Sequence, residues 1–205
     1  FNRGFYYNSI EMYKKAYTTE KKASEKATLI FKVAEAYRAL GDAENAQVWY
    51  EKANKAQYPD PVTYYYIGTS LKEQGKYADA IVAFNKYKEK NPGDSRTEAQ
   101  LAACTEAQKW IDNPSRYKAD PEVLLNTPQY DLSPAFADRK NSDLVFSSSR
   151  PASTGTETDG IVGESFADLY SSSRDKLGKW SEPVRLSPNI NTEGSEGAPT
   201  FDSKR

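Results

Sequence analysis

No histidine occurs in this sequence, and Cys104 is its one cysteine. Those two facts remove the commonest general base, the imidazole of nucleophilic triads, the commonest metal ligand and any thiolate metal cluster. Chemistry would have to run on carboxylates, tyrosine, serine or lysine. Paired carboxylates come first, because two in one site can divide acid and base roles. Asp42 with Glu44, and Glu193 with Glu196, are close in sequence. Both pairs lie among turn-forming residues, where carboxylates serve as solvated caps. Asp131, Asp138, Asp143 and Asp159 are calcium-ligand types, yet their spacing follows no calcium-loop motif, so turn roles are favoured. A Gly-rich phosphate loop and a Gly-x-Ser-x-Gly elbow are absent from the sequence. Catalytic, cofactor-binding and metal-binding residues are therefore expected to number none, and Cys104 reads as a small packing residue.

The elements around these residues differ along the chain. Its 205 residues carry 28 Lys plus Arg against 29 Asp plus Glu, with 38% apolar side chains, enough for one large domain or two modest ones. The balance hides an asymmetry. Residues 1–118 hold 19 basic and 15 acidic groups and 13 of the 15 tyrosines; residues 119–205 hold 9 basic and 14 acidic groups and are rich in Ser, Gly, Pro and Asp. Helix-forming composition followed by turn-forming composition implies two domains of different class. Glu alternates with Lys throughout the first part, so its surplus is no nucleic-acid footprint. No apolar run approaches the roughly 20 residues needed to span a bilayer. The start, Phe1-Asn2-Arg3-Gly4, lacks both Met and the shape of a signal peptide, and the expectation is a piece of a longer protein. One cysteine leaves the redox compartment open.

An internal repeat governs the first part. Ala34, Tyr37, Gly41, Ala46, Tyr50 and Ala53 recur 34 residues later as Gly68, Leu71, Gly75, Ala80, Phe84 and Tyr87, and Pro59 recurs 33 later as Pro92. The small residues suit close helix approach, the glycines suit left-handed helix ends, and the prolines suit helix stops. Asp42 and Asp79 suit the following helix starts. Residues 27–94 resemble two consecutive tetratricopeptide repeats, each a helix–turn–helix unit. Tyr13 to Ala16 echo Tyr50 to Ala53 at a spacing of 37, which marks 5–20 as the second helix of an earlier repeat and predicts a long connection over Thr18–Ser24. Residues 95–112 read as a single capping helix.

The resemblance implies a concave groove lined by the first helix of each repeat, here about 28–40 and 62–74, that holds a peptide or partner surface. Carried over position by position, the groove residues are Phe31, Glu35, Arg38, Tyr65, Thr69 and Lys72. An ordinary solvated face is the competing reading. A carboxylate clamp of several Lys, Arg and Asn is not evident. Tyr64, Tyr65 and Tyr66 must point in three directions on one helix, and Tyr65 is the interaction candidate among them.

From about residue 130 the pattern turns to short strands. Asp143-Leu144-Val145-Phe146-Ser147-Ser148-Ser149-Arg150 and Asp168-Leu169-Tyr170-Ser171-Ser172-Ser173-Arg174 are near-copies 25 residues apart, predicting two strands of one antiparallel sheet. Pro151–Gly163 reads as a long exposed loop, and Trp180 with Val184 to Leu186 as a further strand. Ser133-Pro134-Ala135-Phe136 echoes at Ala198-Pro199-Thr200-Phe201, and the turn after the latter, Asp202–Arg205, lacks the usual Asp-Gly.

These segments resemble the WD-like propeller repeats of TolB. The combination of the two modules is similar to a family of Bacteroidetes envelope proteins, the PorE-like type, whose members end in an OmpA-like peptidoglycan-binding domain and are associated with type IX secretion and gliding. The expected fold is multidomain: an all-α tetratricopeptide solenoid over 1–118, a linker over 119–130, and the start of an all-β propeller over 131–205, with its first blade and the beginning of a second. The resemblance implies a non-enzymatic periplasmic adaptor at the outer membrane. It would dock envelope proteins through the helical array, without nucleic acid or cofactor, while peptidoglycan binding and a lipid anchor would belong to missing segments. A propeller-containing peptidase or sensor, and a cytosolic scaffold, are the alternatives.

Overall fold

A computed structural model describes residues 4–155 and 157–202. The chain divides into two compact units, Phe1–Tyr117 with Gly160–Val162, and Lys118–Asp159 with Gly163–Arg205. The first holds six helices, α1 (Tyr6–Thr19), α2 (Ala23–Ala39), α3 (Ala43–Lys55), α4 (Val62–Glu73), α5 (Tyr77–Lys90) and α6 (Arg96–Asp112). Each packs on its neighbour in sequence, giving two complete antiparallel pairs, α2–α3 and α4–α5, flanked by single helices.

The turn inside each pair is built alike. Gly41 and Gly75 take φ of +75° and +73°. Their conformation lets the N–H groups of Asp42 and Lys76 return to the carbonyls of Tyr37 and Leu71 at 3.0 and 2.9 Å, closing the orphan carbonyls at the helix end. Asp42 then caps α3 by accepting the Asn45 N–H at 3.0 Å. In the second pair Lys76 takes the N-cap and Asp79 stands inside the first turn. Ala34, Ala46, Ala80 and Gly68 are all buried where paired helices meet.

Two features differ from expectation. Helix α3 stops before Pro59: Gln57 adopts φ +58° and the Tyr58 N–H returns to the Ala53 carbonyl at 3.0 Å, so a left-handed residue ends the helix. The spacing of 37 between the first two second-helix positions is absorbed by helix length. Helix α2 has 17 residues against 12 in α4, and only residues 20–22 connect it to α1.

The second unit is an open antiparallel sheet in the order β1-β2-β3-β4, with strands Asp131–Phe136, Asp143–Ser148, Asp168–Ser173 and Val184–Arg185. Among the described residues no propeller is formed. Phe146 pairs with Tyr170 and Leu144 with Ser172, which puts Leu144, Phe146 and Tyr170 on one face. There they pack with Leu125 and Trp180. Leu125 lies within the span expected to be a linker. Pro134 sits in the edge strand β1, where its missing N–H costs no ladder bond, and the register slips between Leu132 and Ala135. The serine triplets serve as hydrogen-bond donors. Ser148 donates to Asp131 at 2.6 Å, Ser173 to Asp143 at 2.7 Å, and Ser172 to the Ser181 carbonyl at 2.7 Å. The Pro151–Gly163 loop is anchored by Thr154, whose N–H and hydroxyl donate to the buried Asp168 at 2.6 and 2.7 Å. The expected turn at Asp202–Arg205 falls outside the described residues from Ser203 onward.

Candidate protein-binding surface

Helices α2, α4 and α6 are the first helices of successive units, and their shared face carries a cluster of rings and charges. Phe31 stacks on Tyr58 with centroids 4.3 Å apart and planes within 5°. It also meets Tyr50 edge-on at 5.7 Å. Four residues further along α2, Glu35 accepts the Tyr50 hydroxyl hydrogen bond. Arg38 donates to both Glu35 oxygens at 3.0 and 2.9 Å and to the Tyr50 oxygen at 3.2 Å. Its guanidinium lies 4.7 Å from the Tyr66 ring centre, and Tyr66 stacks on Tyr50 at 5.2 Å. The i, i+3 spacing of Glu35 and Arg38 lets one helix present the forked pair.

Electrostatics follow from this packing. Burial, and then the Glu35 carboxylate, push the Tyr50 hydroxyl far above its ordinary value, so it stays protonated and donates. The Glu35 hydrogen bond raises Arg38 despite its partial burial. Burial also raises Tyr58, with Asp60 and Glu35 adding to it. Arg38 and Glu35 keep 38% and 18% of their side-chain surface, so a partner can reach the charges while the aromatic base stays fixed.

On α4 the placement is different. Tyr65 is 7% exposed and lies among Phe84 and Tyr87 at 5.6 and 5.4 Å, a core position. Thr69 turns its hydroxyl back to the Tyr66 carbonyl at 2.9 Å. Lys72 donates to Gln100 of α6 at 2.5 Å, and Gln100 donates to the Tyr65 oxygen at 3.3 Å. Phe31, Glu35 and Arg38 are thus brought together; Tyr65 and Lys72 form a second group across α4 and α6, and Thr69 joins neither. The partly exposed Tyr58, Tyr66 and Gln100 belong to the surface as well, with the fully buried Tyr50 beneath it. A signal for Tyr66 and Gln100 existed in the sequence, since position 66 recurs as 100 at the repeat spacing of 34.

Groups of three or more His, Cys, Asp or Glu that could hold a metal ion are absent among the described residues. Cys104 is fully buried, and burial pushes its thiol upward. No helix among the described residues is long and apolar enough to cross a membrane.

Antiparallel helix pairs stacked with a common first-helix face define a helical-repeat solenoid, a class that works by presenting surface. Within it, the tetratricopeptide-repeat family model matches residues 63–94, which cover α4, α5 and the turn that follows. No curated protein matches the chain. The repeat suggests a protein–protein interaction or scaffold role.

Proposed function

We propose that this chain is a non-enzymatic adaptor of the periplasm, associated with the outer membrane, whose α2–α4 face holds a segment of a partner from the type IX secretion or gliding machinery. The observation that carries the docking part is the Phe31–Glu35–Arg38–Tyr50–Tyr66 cluster. It offers a forked cation and a carboxylate on a rigid aromatic base, a combination suited to an extended polypeptide with mixed charge. The envelope location and the machinery rest on the sequence resemblance of the two modules in this order. On the same ground we read the four-stranded meander as the first blade of a TolB-like propeller, and wall anchoring as the work of an OmpA-like module outside these residues.

The test is co-purification from outer-membrane extracts. Arg38→Ala removes the forked cation while leaving the Tyr50–Tyr66 stack, and is expected to abolish recovery of the envelope partner. Unchanged recovery overturns the docking surface. Recovery of the native protein in the cytosolic fraction, or a hydrolase domain in the same native chain, overturns the adaptor reading.

A further inference from the structure

Tyr17 of α1 meets Trp49 of α3 edge-on, with ring centroids 6.1 Å apart and planes at 88°. Three ammonium groups from three helices close on these rings. Lys26 of α2 and Lys52 of α3 lie 4.8 and 4.4 Å from the Tyr17 ring centre, and Lys52 also lies 4.3 Å from that of Trp49. Lys14 of α1 lies 6.0 Å from Trp49 and 5.4 Å from Tyr37. Tyr17, Trp49 and all three lysines are partly exposed. None of them belongs to the Phe31–Glu35–Arg38 cluster.

These cations are short of negative charge. Among the described residues, Lys26 and Lys52 take part in no ion pair. Lys14 has Glu11 at 3.4 Å, but 77% of the Glu11 side-chain surface is in solvent, a contact of little worth. The ring faces attract each ammonium by only about 0.5–1 kcal/mol at a surface, while the three like charges oppose one another. The repeat does not require this arrangement. At the spacing of 34, Trp49 becomes Ala83 and Lys26 becomes Asp60, whereas Lys52 recurs as Lys86. Ala83 and Lys86 share a cleft with the carboxylates Glu51 and Asp79, so the next unit balances charge where this one leaves it uncompensated.

We propose that the Tyr17–Trp49 cluster is a second docking surface, distinct from the α2–α4 face, and that it takes an acidic segment of a partner protein. Carboxylates of the segment answer the Lys14, Lys26 and Lys52 ammoniums, and an apolar side chain beside them covers the partly exposed rings. All three cations are compact ammoniums on flexible stems, which meet carboxylates without the fixed geometry that a guanidinium fork demands. That suits a flexible acidic chain. Both rings are partly covered by their helices, so neither can enter a bilayer as an interfacial anchor does, and a polypeptide is favoured over a lipid surface.

Titration calorimetry of the 205-residue chain with a synthetic peptide of repeating Asp-Glu-Leu, blocked at both ends, tests this. Binding is expected at low salt, weaker as salt rises, and absent for the Asn-Gln-Leu counterpart. Lys26→Gln and Lys52→Gln should each weaken it at least about fivefold. Arg38→Ala, on the α2–α4 face, should leave it unchanged, which separates this surface from the one proposed above. Circular dichroism checks that each variant stays folded. A wild-type chain that does not bind the acidic peptide, equal affinity in wild type and both lysine variants, or loss of binding in Arg38→Ala overturns the proposal. So does tighter binding to phosphatidylglycerol vesicles than to the peptide with the same dependence on Lys26 and Lys52.

Discussion

A methyl group placed on Gly68 would lie 2.7 Å from two carbons of the Phe84 ring. Phe84 is fully buried and backed by Tyr65 at 5.6 Å, so the ring has nowhere to move. Gly68→Ala, which in an exposed helix would stabilise by about 1 kcal/mol, is expected here to destabilise by about 1–3 kcal/mol. Denaturant unfolding measures it, and a variant as stable as the wild type would mean that α4 and α5 can part without cost.

Tyr50 gives the first unit a dependence on alkaline pH. Its hydroxyl sits far above the ordinary value of 10.0 because burial and Glu35 oppose the phenolate. The unfolded chain releases that proton first, so the contribution is complete below the unfolded value and is lost as pH rises through the folded one. Tyr50→Phe should cost about 1 kcal/mol at neutral pH and flatten the fall in stability above about pH 10. Parallel slopes for variant and wild type would assign the alkaline loss elsewhere.

Asp131 and Arg150 form a part-buried pair in the sheet unit, joined at 3.0 Å with 9% and 12% of their side-chain surface exposed. Burial opposes the charge on Asp131, but hydrogen bonds from Ser148, Thr127 and Arg150 together outweigh it and hold the carboxyl below its ordinary value. Arg150→Ala leaves that charge with the Ser148 and Thr127 hydrogen bonds alone and should cost about 1–3 kcal/mol. The depressed carboxyl supplies stability above its unfolded value that disappears as pH falls through the folded one. Acid unfolding should therefore be shallower in Asp131→Asn; an unchanged acid limb would exclude Asp131 as its source.

Cys104 should resist thiol reagents in the folded chain. It is fully buried, and burial raises its thiol, so the reactive thiolate is scarce. Ellman's reagent is expected to react only at the rate of unfolding, and rapid labelling in native buffer would show that α6 opens locally.

Much of the helical unit was legible because its determinants are local and periodic. The 34-residue recurrence of small, aromatic and glycine positions carries the helix pairs, and Gly41 and Gly75 mark their turns. The end of α3 was not legible at Gln57, because a non-glycine left-handed residue leaves no mark beside Pro59. The anchoring role of Thr154 was hidden for a related reason: Ser, Thr and Gly signal a loop by composition, but not the carboxylate across the sheet that the loop will satisfy.

The tyrosine triplet separates the two kinds of knowledge. Its spacing alone determines that Tyr64, Tyr65 and Tyr66 point in three directions, since successive residues on a helix turn by about 100°. Which ring meets the core and which meets the surface was decided by tertiary packing. Tyr65 closes on Phe84 and Tyr87, while Tyr66 lies between Tyr50 and Arg38. Sequence by itself determined the repeat, its phase and the strand pair, because these depend on periodicity along the chain. The placement of Glu35 and Arg38 on an aromatic base, and the cleft between α1 and α2, came from the tertiary structure, because they depend on how separate helices approach one another.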